Sequence, residues 1–152
     1  MKSLVIYDSL YGNTEMIANA IGITLSCNVV RINSTSAKEL QTLDLLIVGS
    51  PTHGGRPTPA LDTFLKNLPK HALENVKVTA FDTRFAPEEH GLGLRILMNI
   101  IHFAAGKIAK ILVNKGGKLI LEPEGFIVED KKGPLKKGEL ERAKKWARQI
   151  IL

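Results

Sequence analysis

Residues 2–21 read Lys2-Ser3-Leu4-Val5-Ile6-Tyr7-Asp8-Ser9-Leu10-Tyr11-Gly12-Asn13-Thr14-Glu15-Met16-Ile17-Ala18-Asn19-Ala20-Ile21. Lys2–Tyr7 is rich in β-branched and apolar side chains and predicts a short strand. From Asn13 the apolar positions are Met16, Ile17, Ala20, Ile21 and Leu25, close to helical spacing, which predicts a helix over Asn13–Leu25. Between them lies a polar turn with a single glycine. A strand feeding a helix through such a turn is the first part of a βαβ unit.

The same alternation continues to the C-terminus. Asn28–Ile32 predicts a second strand and Ala37–Gln41 a short helix. Asp44–Gly49 predicts a third strand, whose continuous apolar run Leu45-Leu46-Ile47-Val48 suits burial on both faces. A Gly/Pro-rich loop, Pro51–Pro59, leads to a helix over Ala60–Leu68. Val76–Phe81 predicts a fourth strand, followed by a loop over Asp82–Glu89. A long helical region runs from about Leu92 to Asn114 and stops at Gly116-Gly117. Lys118–Leu121 and Phe126–Glu129 read as two pieces of a fifth strand, and Lys137–Ile150 as a closing amphipathic helix. This order predicts an α/β domain, residues 1–152, built on a parallel sheet covered by helices on both faces.

Composition narrows the function classes. At 152 residues, 44% hydrophobic and 24% charged, the chain has the balance of one globular domain. Its one cysteine, Cys27, cannot form an internal disulfide, and it reads as a small buried hydrophobe in a protein of a reducing, cytoplasmic compartment. The N-terminal apolar run is too short for a signal peptide. The apolar stretch Leu94–Val113 is broken by Arg95, His102, Lys107 and Lys110, so no transmembrane segment is expected. His53, His71, His90 and His102 lack metal-ligand spacing, and no metal site is expected. The net charge of +6 resides wholly in residues 61–152, where Lys131-Lys132 and Lys136-Lys137 form two pairs. Such a surface suits an acidic partner, an anionic membrane or a solvated face; with one Trp, two Tyr and five Phe, base stacking has little support and nucleic acid is not expected.

In parallel α/β sheets, ligands bind at the carboxyl ends of strands. The first loop, Asp8–Thr14, enters a helix start, where unpaired N–H groups and the helix dipole can hold a phosphate. Ser9 and Thr14 add hydroxyls, and Gly12 permits close backbone approach. The loop holds no Lys or Arg, and it lacks both the Gly-Lys-Ser/Thr ending of a nucleotide phosphate loop and the three-glycine dinucleotide fingerprint. By residue type it fits either a phosphate site or an ordinary capped helix start.

The longer segment Val5–Ile21 resembles the flavodoxin signature at Tyr7, Ser9, Gly12, Thr14, Ala18 and Ile21, and the element order and the C-terminal run Lys132–Ala143 resemble short flavodoxin-domain proteins. The resemblance implies a flavodoxin-like doubly wound five-stranded sheet of order 2-1-3-4-5, with FMN as cofactor. By it, Ser9, Leu10, Tyr11, Gly12, Asn13 and Thr14 wrap the phosphate. Pro51, Thr52, His53, Gly54, Gly55 and Arg56 flank one side of the flavin ring, and Phe81, Asp82, Thr83, Arg84 and Phe85 the other. Gly54 and Gly55 can take positive φ, which would let a peptide turn over as flavin N5 gains a proton. The sequence departs from a common pattern of the family in lacking a Trp in the second loop and a Tyr in the third, which leaves the stacking residues among His53, Arg84 and Phe85. Arg56 and Arg84 would favour an anionic reduced flavin and a less reducing protein than acidic flavodoxins.

The function this implies is electron transfer between redox-partner proteins. An FMN-dependent reductase of a quinone or another small acceptor is the alternative, favoured if the apolar segment Gly91–Phe103 walls a cavity beside the flavin. A flavodoxin-shaped interaction module without FMN is a third reading, against which the intact first loop argues. No hydrolytic constellation of Ser, His and Asp or of paired carboxylates is visible, so no catalytic residue is expected.

Overall fold

Every second residue of the central strands points to the same face of the sheet, and both faces are apolar. The computed structural model, which describes residues 1–85 and 103–151, turns this pattern into two cores. Strands β1 (Ser3–Tyr7), β2 (Asn28–Arg31), β3 (Leu45–Pro51) and β4 (Lys77–Phe85) are parallel in the order β2-β1-β3-β4. The fifth position is shared by β5 (Lys118–Leu119) and β6 (Glu124–Val128), which pair with successive stretches of β4. The expected order 2-1-3-4-5, with a fifth strand in two pieces, is therefore the order observed.

Leu4, Ile6, Leu46, Val48, Val78 and Ala80 face one side of the sheet. They pack on α3 (Pro59–Lys66) and α4 (Ala104–Asn114) through Leu61, Leu65, Ile108 and Leu112. Val5, Tyr7, Leu45, Ile47 and Phe81 face the other side, under α1 (Asn13–Leu25) and α5 (Glu139–Arg148). A four-residue helix, α2 (Ala37–Leu40), lies between β2 and β3. Trp146 is the anchor of the closing helix: its ring meets Phe81 and Phe126 edge-on, with centroids 6.4 and 6.1 Å away. Cys27 is half-buried against this second core rather than fully enclosed, and burial raises its thiol pKa. Among the described residues, no helix is long and apolar enough to cross a membrane.

Two boundaries differ most from expectation. Strand β4 continues through Asp82-Thr83-Arg84 to Phe85 instead of ending at Phe81. Helix α4 begins at Ala104, because Phe103 is extended at φ −122° and ψ 154°, so the long helix expected from Leu92 is not continuous through Phe103. Apart from Phe103, the apolar segment Gly91–Phe103 lies outside the described residues, as do loop positions 86–89, His90 and His102.

The outer edge of β6 is closed by the last helix. The Glu139 carboxylate accepts the Ile127 N–H at 2.7 Å and is paired with Arg142, which also donates to the Gly125 carbonyl. Burial pushes the Glu139 carboxyl up, but Arg142, the Ile127 amide and Lys136 outweigh that and hold it below its ordinary value. Its contribution is therefore complete above the unfolded glutamate value, about 4.3, and lost as pH falls through the lower folded value. Glu139→Gln is expected to cost about 1–2 kcal/mol at pH 7 and to flatten the acid limb of a stability–pH curve. Urea unfolding between pH 3 and 7 checks this; an unchanged acid limb refutes it.

Candidate functional site

Tyr7, Pro51 and Phe85 end β1, β3 and β4 at the same edge of the sheet, beside a cleft of about 380 Å³. That volume falls within the range of small-ligand pockets. Thirteen of the residues singled out in the sequence line it: Ser9, Leu10, Tyr11, Asn13 and Thr14 from the first loop, Pro51, Thr52, His53, Gly54 and Gly55 from the second, and Thr83, Arg84 and Phe85 from the third segment. Gly12, Arg56, Phe81 and Asp82 do not line it.

The first loop is pinned from below and open above. The buried Asp8 carboxylate accepts the Ser9 N–H at 2.9 Å and the Thr58 hydroxyl, and it meets Arg31 at 3.4 Å. Ser9 Oγ accepts the Gly12 N–H at 3.1 Å, which closes the turn. Gly12 sits at φ 92°, a conformation that strains any residue with a Cβ, and it occupies the N-cap of α1. Having no side chain, it leaves the first-turn amides of α1 without a cap, whereas α3 is capped by Thr58 Oγ1. Among the described residues, a Cβ on Gly12 would meet nothing within 4 Å, so the space beside this residue is open. Behind it, Thr14 and Thr83 share a hydroxyl–hydroxyl hydrogen bond of 2.8 Å.

The second loop is a hairpin turn. His53 and Arg56 exchange backbone hydrogen bonds of 2.9 and 3.0 Å around Gly54 and Gly55, which lie at φ 56° and 77°. Positive φ at both central positions is the geometry for which two glycines are suited. Thr52 is already committed: its N–H donates to the Thr83 carbonyl, and its hydroxyl accepts the Ala104 N–H at 3.0 Å. The Thr52 hydroxyl and the His53 amide are therefore engaged within the protein. Among the described residues, the Gly54 and Gly55 amides have no hydrogen-bond acceptor. Arg56 lines a separate groove with Asp62, Lys66, Lys107 and Lys110.

The third segment is strand rather than loop. Phe81 is fully buried under α5. Asp82 (0% exposed) and Arg84 (6%) share the opposite face and form a two-pronged pair, with both N–O distances 2.6 Å. Asp82 also accepts the Ala105 N–H at 2.9 Å, placing a carboxylate at the start of α4. Burial pushes the Asp82 carboxyl up from its ordinary value, and Arg84, the Ala105 amide and Thr52 oppose that shift. Gly125 leaves room for the guanidinium: a Cβ there would lie 2.1 Å from Arg84 Nε. Arg84 thus reaches the cleft with its charge matched by Asp82 and its guanidinium 3.8 Å from the Phe103 ring centroid. Neither arginine brings the cleft the free positive charge expected from the sequence.

Phe103, Val128 and Lys131 also line the cleft; sequence reading did not place Val128 and Lys131 there, and it offered Phe103 only as the end of an apolar segment that walls the cleft under the reductase reading. Phe103 belonged to an apolar run read as helix. Lys131 belonged to a lysine pair whose signal in the sequence was only charge.

A family model described as a flavodoxin domain matches residues 4–93. Among solved structures, oxidised flavodoxin 2 from Bacillus cereus superposes with a TM-score of 0.78 at 24% identity, covering 99% of this chain and 98% of that one. A flavodoxin from the domain Archaea gives 0.73 at 19% identity over 99% and 96%. A WrbA-like flavodoxin from Agrobacterium tumefaciens gives 0.73 at 17% over 98% and 94%. At these identities the superpositions show the fold. No significant match was found among curated proteins.

Proposed function

Because the chain belongs to the flavodoxin family, we propose that residues 1–152 form one FMN-binding domain that carries electrons between redox-partner proteins. The observation that carries this reading is the uncapped start of α1 behind Gly12, opening with Ser9, Asn13 and Thr14 onto a cleft between three strand ends. Neutral donors, the helix dipole and the open space beside Gly12 fit a phosphate group. Leu10, Tyr11 and Phe85 are exposed apolar side chains of the same cleft and fit a flat aromatic ring. The free Gly54 and Gly55 amides fit its polar edge. With Arg84 inside an ion pair, His53 and Phe85 remain as ring neighbours. FMN supplies the one- and two-electron chemistry; the protein sets its affinity, access and potentials. The Asp82–Arg84 wall adds little net charge, so a strongly raised potential from Arg84 is no longer expected.

The basic half of the chain fits acidic redox partners, and the single half-buried cysteine fits a reducing, cytoplasmic setting. A second reading, an FMN-dependent reductase of a quinone-like acceptor, draws on the apolar edge made by Leu10, Tyr11, Phe85 and Phe103.

Purified protein should carry a flavin absorption spectrum or, if colourless, quench added FMN fluorescence saturably. Absence of saturable quenching at high micromolar protein overturns the reading. Stepwise reduction then separates the two functions: one-electron steps support the carrier, and a single two-electron step with rapid quinone turnover supports the reductase.

A further inference from the structure

The first loop carries no cation of its own, yet the fold delivers two from the other end of the chain. Past β6, Val128 and Leu135 form an antiparallel bridge, and Glu129 N–H donates to the Pro134 carbonyl at 2.9 Å. The connecting turn is closed by the Gly133 N–H on the Asp130 carbonyl at 2.9 Å and by Asp130 Oδ1, which accepts the Lys131 N–H at 2.7 Å. Lys131-Lys132 stands at its tip. The tip rests on the start of α1: Asn13 Nδ2 donates to the Lys132 carbonyl at 3.2 Å, across 119 positions of sequence. The approach is close, since a Cβ on Gly133 would lie 2.7 Å from Asn13 Oδ1. Lys131 lines the cleft together with Ser9, Asn13 and Thr14, and the Lys132 ammonium lies 6.0 Å from the Tyr11 ring centroid. Among the described residues, neither ammonium makes an ion pair, and the nearest carboxylate in sequence, Asp130, spends one oxygen on the Lys131 amide.

We propose that Lys131, assisted by Lys132, is the charge partner of the cofactor's phosphate, and that it sets the preference of this cleft for a phosphorylated flavin over an unphosphorylated one. The inference rests on the FMN reading above and adds a cationic determinant to a loop of neutral donors. A phosphate monoester carries close to two negative charges at neutral pH, and a positioned ammonium interacts with it more strongly than a neutral donor does. Part of that interaction is screened by salt, because both lysines are exposed.

The test compares native protein with Lys131→Gln, Lys132→Gln and the double variant. Dissociation constants for FMN and for riboflavin are measured by fluorescence quenching at low and high NaCl, with circular dichroism as the folding control. The double variant should lose on the order of tenfold in FMN affinity at low salt, keep its riboflavin affinity, and show a shallower salt dependence for FMN. If native protein binds FMN and the double variant binds it equally well with the same salt slope, the lysine proposal fails and the FMN reading stands. Equal weakening of both flavins means a structural effect and also overturns the proposal. If native protein binds neither flavin, the FMN reading fails and the lysine proposal with it.

Discussion

Asp82→Ala is expected to lower folding stability by about 3–5 kcal/mol, the typical cost of removing one partner from a buried ion pair. Arg84 is 6% exposed and would lose the carboxylate that neutralises it. The Ala105 N–H at the start of α4 would lose its acceptor, and the Thr52 hydroxyl a partner. In a chain of this length the loss corresponds to a fall of about 10 °C in Tm. Urea unfolding should show a lower midpoint at unchanged slope. Replacing both partners together, Asp82→Leu with Arg84→Met, should recover most of the loss, because a buried pair contributes little net stability once its desolvation is counted. A single-variant loss below about 1 kcal/mol, or no recovery in the double variant, contradicts this account of the cleft wall.

Gly49→Ala should cost about 3 kcal/mol although it adds one methyl group. Gly49 lies opposite Phe81 in the β3–β4 register, and its missing side chain is where the Phe81 ring sits. A Cβ there would fall 2.0 to 2.5 Å from three ring carbons. The ring cannot retreat freely, since Phe126 and Trp146 meet it at centroid distances of 6.2 and 6.4 Å. Nor can the strand shift easily, being paired with β1 on one side and β4 on the other. The small gain from a stiffer unfolded chain offsets only part of the strain. Phe81→Leu in the same chain should relieve part of it, giving a measurable coupling energy between the two sites. Additive effects of the two substitutions would refute the clash.

The fold was legible because its signals are local. The helix Asn13–Leu25 follows from the spacing of Met16, Ile17, Ala20 and Ile21, and the buried β3 from its unbroken apolar run. The split fifth strand showed itself as two short apolar pieces around Pro123. Asp82-Thr83-Arg84 misled because each residue alone reads as surface. They are buried as pairs, Asp82 with Arg84 and Thr83 with Thr14, and pairing across 69 positions leaves no trace in a local window. The same limit hid Lys131, which reaches the first loop only through the turn resting on Asn13. That the three segments meet around one cleft was legible, since strand ends in a parallel sheet are where ligand sites form. The roles of single atoms within them, such as the Thr52 hydroxyl spent on α4, depend on neighbours that the sequence does not name.

The closure of β6 by Glu139, Arg142 and the Lys136 amide bears on how the molecules behave at high concentration. An exposed sheet edge is a template on which another chain can add a strand, the route to swapped dimers and fibrils. Here the Ile127 N–H and C=O and the Gly125 C=O are already taken by the chain's own groups. The neighbouring β5 offers two residues, one of them a lysine, before the chain leaves the sheet. Along this side an incoming strand finds almost nothing to pair with, so resistance to edge-on aggregation is built into the last helix.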